Sequence, residues 1–221
     1  MHALHARKKL LCAQLLWMGH RDQLSRKKAR EIFCRHAVLP VDHPDARKVE
    51  KLLSIDKANT RRMKRLIKRH GWPKVSDVGP KAARAAWLLV HHADHDHMFQ
   101  RKCLKHLETA VQMGEAKPRD LAYLTDKVRV AEGRAQVYGT QVFDVRQLDV
   151  LYRLSGNHLV DAMDRIQGSI RNRQPLQPLP IEDEVNVDKR RAEVGLPPLR
   201  VYITQINRRF HAEQQEQATA R

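Results

Sequence analysis

Residues 79–100 read GPKAARAAWLLVHHADHDHMFQ, and this stretch decides the fold class. Gly79-Pro80 opens a helix, because proline is tolerated in a first turn. Residues 82–90 are rich in Ala and Leu around Trp87, which predicts a helix at the centre of the molecule. That helix is expected to end near Ala93. Asp94 or Asp96 can then cap a following helix that runs through Gln112 and closes at Gly114.

The helical reading extends both ways. Downstream, Lys117-Pro118 opens a helix carrying Leu121, Leu124 and Val128 that stops at Gly133. Residues 136–143 hold Tyr, Thr and Val with little room for a sheet, so an extended loop is expected. Two helical patterns follow over 144–172, separated by Ser155-Gly156-Asn157. Pro175, Pro178 and Pro180 impose an extended segment. A short helix over 188–194 and a last one over 201–211 lead to a polar tail. Upstream, His70-Gly71-Trp72-Pro73 stops a helix over 46–69, with Gly71 at its C′ position and Pro73 blocking continuation. Met63, Leu66, Ile67 and His70 share one of its faces; Arg61, Arg65 and Lys68 lie on another. Residues 21–37 form a second basic helix or continue a first one, whose apolar face carries Leu10, Leu11, Leu15, Leu16 and Met18.

The reading is therefore mostly α: a compact multi-helix domain of short antiparallel helices, one extended Tyr-Gly-Thr-Gln loop and a proline-rich extended segment. One domain is expected over 1–211. It divides into a basic helical part (1–70), core helices (71–141), a helical insertion (142–174) and a C-terminal segment and helix (175–211), with a frayed tail over 212–221.

Charge narrows the function classes. The 221 residues carry a formal net charge of +17. Residues 1–70 hold 19 Lys and Arg against 6 Asp and Glu, so most of the excess lies there. Clustered cations of this kind face polyanions or simply solvate a helix face. No apolar run approaches the length of a membrane span. Three widely spaced cysteines, Cys12, Cys34 and Cys103, form no C-x-x-C pair, which argues against a disulfide framework or thiolate zinc site and for reduced thiols in the cytoplasm. Residues 5–18 mimic a targeting segment, but serine and a cleavage pattern are missing. Phosphate-binding glycine loops, the dinucleotide fingerprint and the Gly-x-Ser-x-Gly elbow are all absent, and no motif calls for a cofactor.

Several blocks together resemble a bacterial domain family of unassigned function. They are His70-Gly71-Trp72-Pro73, Ala86-Trp87-Leu88-Leu89-Val90, His92-Ala93-Asp94 with Asp96, and Phe99-Gln100. Ala122-Tyr123-Leu124, Gly133, Tyr138-Gly139-Thr140-Gln141, Pro180-Ile181-Glu182-Asp183, Val187-Asp188 with Arg190-Arg191, and Val194-Gly195-Leu196 continue the series. Asp22-Gln23 also fits. The resemblance implies a compact helical protein whose first helix belongs to the domain, and it carries no reaction. His91 and His97 depart from the family's pattern.

The sharpest chemical feature is His91-His92-Ala93-Asp94-His95-Asp96-His97. On a continuous helix His91 and His95 would share a face and offer two imidazoles to a metal, but no H-E-x-x-H pattern is present and a helix boundary is expected here. A metal-free reading assigns acid–base chemistry to His92, with Asp96 or Asp126 fixing its tautomer. His70, Trp72, Gln100, Arg129, Tyr138 and Gln141 are the polar and amphipathic groups of the other blocks, and the expectation is that they line one cleft. Each also has a structural reading: buried His or Asp bracing loop backbone, Gln141 holding an irregular loop, Trp72 and Trp87 in the core. The leading expectation is a small protein whose His/Asp pocket binds a small molecule or peptide. Competing with it is a nucleic-acid-associated protein contacting phosphates through Arg61, Arg62, Arg65, Lys68 and Arg69. An adaptor using the 144–172 helices is a third class.

Overall fold

The computed structural model describes residues 2–35, 43–142 and 177–218; the expected insertion and its adaptor surface lie outside the described residues. Seven α-helices are described, with no strands among them: α1 (His2–Arg35), α2 (Pro44–His70), α3 (Val75–His91), α4 (His97–Gln112), α5 (Pro118–Ala131), α6 (Val187–Glu193) and α7 (Leu199–Ala218). A 3₁₀ turn, Glu184–Asn186, leads into α6. None of the described helices is long and apolar enough to cross a membrane.

The basic stretch 21–35 continues the first helix, giving one element of 34 residues. Its inner line is Leu11, Leu15, Met18 and Asp22, all buried. Leu10 and Leu16 are instead exposed, at 61% and 40%. They lie about 100–140° round the helix from that line, which corrects the broader apolar face expected from the sequence. α2 starts on Pro44 with His43 as N-cap, its ring accepting from the Asp45 N–H at 3.0 Å. Met63 and Ile67 of α2 are buried as expected, while His70 is exposed because the helix ends there.

α3 breaks at Gly79 (φ 77°, ψ 163°), and Pro80 starts its longer part. It carries Ala82, Ala86, Trp87, Leu89 and Val90 into a core shared with α1, α2, α4 and α5. Fully burying side chains such as Leu15, Met63 and Leu89 contributes roughly 1.5–3 kcal/mol each. α1 and α3 run in the same direction: Lys8 pairs with Asp77, Gly19 meets Ala85, and Asp22 meets His92. A Cβ at Gly19 would stand 2.8 Å from the Ala85 Cβ, so two small residues set this close crossing.

Residues flanking the Tyr-Gly-Thr-Gln block pair with the proline segment through isolated bridges, Gln136 with Ile181 and Val142 with Pro178, and between them the chain bends at Val137 and Tyr138 and takes a positive φ at Gly139. The last helix continues to Ala218, past the expected boundary near residue 211.

Candidate functional site

α3 ends at His91, and His92 takes the cap position, its N–H bonded to the Leu88 carbonyl at 2.9 Å. The His92 ring there meets α1. Its Nδ1 lies 2.9 Å from Asp22 Oδ2 and 2.8 Å from Arg26 Nε. Arg26 Nη2 donates to both Asp56 oxygens, at 3.0 and 2.9 Å. Three helices thus share one charge cluster: Asp22 and Arg26 from α1, Asp56 from α2, His92 from the end of α3.

A single Nδ1 holds either a hydrogen or a lone pair, so it cannot donate to Asp22 and accept from Arg26 at once. Burial would raise the Asp22 carboxyl, but its hydrogen bond with His92 and the nearby charges hold it below the usual carboxylate range. Ionised Asp22 therefore selects the Nδ1–H tautomer, which leaves Nε2 of His92 as the basic nitrogen. Burial lowers the His92 imidazole, with Asp22 opposing and Arg26 reinforcing. Asp56 is pushed up to about 7 by burial, against the pull of Arg26 and with the charges of Asp22 and Asp94 adding to the rise.

Beside this cluster, His91 stacks on Trp87 at 4.9 Å and meets the Tyr123 ring edge-on at 6.2 Å. Tyr123 meets Tyr202 edge-on, and the Arg191 guanidinium lies 4.8 Å over Tyr202. Burial holds the His91 imidazole well below its usual range. Gln100 is fully buried and donates to the Val90 and His91 carbonyls and to Asp94 Oδ1. Asp94 pairs with Lys127 at 2.6 Å on the solvent side. Partial desolvation would raise it, yet Lys127, His91 and His92 hold it well below the usual range. Four buried atoms in this chain of contacts have no hydrogen-bond partner: Asp22 Oδ1, His91 Nδ1, Gln100 Oε1 and Arg191 Nη2. Unsatisfied buried polar atoms are costly, and among the described residues four of the five lie here.

His92 and Gln100 thus fall in one neighbourhood, with Gln100 bonded to the carbonyl of His91. Neither carboxylate expected to fix the His92 tautomer does so. Asp96 caps α4, accepting from the Phe99 N–H at 3.1 Å, and pairs with Lys64. A helix end needs such an acceptor. Asp126 is consumed by the loop: it accepts from the backbone N–H groups of Val137, Tyr138 and Thr140 and from the Thr140 hydroxyl. Asp22 takes the place they were given.

Arg129 holds the Ala135 carbonyl at 2.7 Å and pairs with Glu182. Tyr138 engages the loop brace through its backbone, its carbonyl accepting from Arg191. Gln141 reaches the Tyr123 carbonyl and Thr140. These three frame the loop beside Tyr123 and Tyr202, whereas His70 sits exposed at the end of α2 and Trp72 packs in the core. His91 ends α3 and His95 lies in the following turn, so the two do not share a helical face. Among the described residues no three His, Cys, Asp or Glu side chains are grouped to hold a metal ion. Burial pushes the Cys103 thiol up to about 12, which suits a packing role. Arg61, Arg62, Arg65, Lys68 and Arg69 lie exposed along α2.

Asp22, Arg26, Asp56, Lys127 and Arg191 were not singled out from the sequence as site residues, and Asp94 was named only within the His91–His97 run. One signal was available: Asp22 continues the apolar line Leu11, Leu15, Met18 of α1, where a carboxylate has to be buried.

No curated protein and no solved structure matches the chain. A family model does match, over residues 10–171, and so covers most of α1, all of α2 to α5 and the loop that Asp126 braces. The chain belongs to that family, DUF6624, a family of unknown function.

Proposed function

We propose that the protein binds a small polar molecule or peptide end at the cluster around His92, with His92 Nε2 as the group that takes or gives a proton. The observation that carries this reading is the buried Asp22–His92 pair at 2.9 Å. A carboxylate on Nδ1 orients an imidazole and leaves its other nitrogen free for general acid–base work. Arg26, Lys127 and Asp94 supply charges of both signs beside it, which suits a ligand carrying donors and acceptors rather than a purely anionic one. Gln100 Oε1 and His91 Nδ1 are further groups such a ligand could satisfy. The reading places the protein in the cytoplasm, where Cys12 and Cys103 stay as free thiols.

The test is a thermal-shift screen of small amino acids, amides and hydroxy acids against the purified chain, repeated with His92→Ala and Asp94→Asn. Under this reading, a compound that raises the wild-type melting temperature loses its effect in both variants, while their helical signal persists. A His92→Ala chain that unfolds would assign His92 to bracing the α1–α3 contact instead. A hit unaffected by either change would also overturn the reading.

A further inference from the structure

A concavity lies between α1 and α2. It encloses about 250 Å³ and is lined by Trp17, Arg21, Asn59, Arg61, Arg62 and Arg65, with Ile55 and Ala58 completing the wall. Trp17 is 49% exposed. The Arg21 guanidinium stands 4.7 Å from its ring centroid and that of Arg62 stands 5.3 Å away. These cation–π contacts hold two guanidiniums in place at the mouth before any ligand arrives. None of the four lining arginines forms an ion pair among the described residues, and no carboxylate lines the cavity.

The second observation concerns Asn59. It is only 8% exposed, lines the cavity, and its buried amide nitrogen has no hydrogen-bond partner. A buried amide left unsatisfied is destabilising unless something bonds to it. Guanidinium forks and a buried amide donor line the same concavity, which suits an anion with several acceptor oxygens.

We propose that this groove binds single-stranded nucleic acid, seating a backbone phosphate against Arg21, Arg62, Arg65 and Asn59 with Trp17 beside a base. The exposed cations continue beyond the cavity along α2, through Lys68 and Arg69, so a chain of phosphates is accommodated rather than one. Residues 61–69 span about 12 Å of helix. The half-exposed indole supplies the stacking surface that strand-binding grooves combine with cations. The site shares no residue with the His92 cluster, and each assignment can fail without the other.

The test uses the full, nuclease-treated chain and labelled oligouridylate and oligothymidylate, with anisotropy followed across salt. Arg62→Glu with Arg65→Glu weakens binding at least about tenfold and lowers the log–log salt slope by about 1.4. Trp17→Leu weakens it about tenfold through lost stacking. Asn59→Leu weakens binding while the melting temperature holds or rises, because an unsatisfied buried amide is removed; a purely structural Asn59 would do the reverse. Polyglutamate competing as well as the oligonucleotide, a mononucleotide binding as tightly as the strand, or unchanged affinity in the variants would each overturn the proposal.

Discussion

Asp22 and Asp126 are both fully buried carboxylates, and they are used in different ways. Asp126 accepts from three backbone N–H groups and one hydroxyl, all from the loop it closes over. Its neighbours are equally engaged: Gln136 bonds Gln141 and Leu179 through both ends of its amide, and the Tyr202 hydroxyl donates to the Thr140 carbonyl. Asp22 receives Gln23 and shares the Nδ1 of His92 with Arg26, while its second oxygen finds no hydrogen bond. The difference is the type of donor. Backbone donors have fixed protonation and fixed place, so they turn a carboxylate into a brace. Side-chain donors that titrate or change tautomer leave it with more than one state, which is what chemistry or ligand exchange requires.

The largest expected effect comes from breaking the brace. Asp126→Ala orphans several buried N–H groups at once and should cost about 3–5 kcal/mol in chemical denaturation. A loss near that of a surface change would mean that the loop does not depend on its carboxylate.

The α1–α3 crossing beneath the other region is next. Gly19→Val forces the helices apart at Ala85 and should cost about 1–3 kcal/mol. Ala85→Gly in the same chain should restore part of it. Absence of any rescue would place the damage elsewhere.

Asp22→Asn sharpens the comparison more finely. It should cost about 1–2 kcal/mol, since an amide oxygen can still accept from Nδ1. Its decisive readout is ¹⁵N NMR of the imidazoles: the His92 pKa should fall further, because the hydrogen bond that raises it weakens. An unchanged His92 titration would break the assignment of Asp22 as its orienting partner.

The smallest effects are those of pH. Asp56 has a folded pKa raised to about 7 from 3.8, so the folded state holds that proton more tightly. Its contribution to stability is present below the unfolded value and is lost as pH rises through about 7. Asp56→Asn should therefore gain relative to wild type as pH rises from about 4 to about 7. His92 has the opposite sign. Its folded pKa lies below 6.5, so protonation favours the unfolded chain and stability falls as pH drops through that range. A stability difference between Asp56→Asn and wild type that is flat over this interval would contradict the raised Asp56.

Much of the fold was legible beforehand because it rests on local signals. Pro118, Gly71, Gly114 and Gly133 mark helix ends through backbone sterics alone, and those ends fall where they were expected, whereas α3 begins at Val75, ahead of the expected start at Gly79-Pro80, which became an internal kink. Asp94 and Asp96 were ambiguous as caps, and the choice fell to Asp96 because Asp94 is drawn to Lys127, 33 residues away. The site was legible in only one of its halves. His92 and Gln100 stand eight positions apart and could be named together. Asp22 and Arg26 reach His92 across 70 and 66 positions, and Asp56 joins through Arg26 across 30, separations that no helical period encodes.

By itself, then, the sequence determined a mostly helical chain, most of the described helix ends between residues 43 and 133 and a basic first third, since propensity, capping and charge act within a few residues. Only the tertiary structure decided that Asp22 rather than Asp96 or Asp126 attends His92, and that Trp17 and Asn59 meet four arginines in one cavity. Those pairings depend on how closely α1 can approach α3 and α2. Gly19 against Ala85 sets the approach to α3, a contact between residues 66 positions apart.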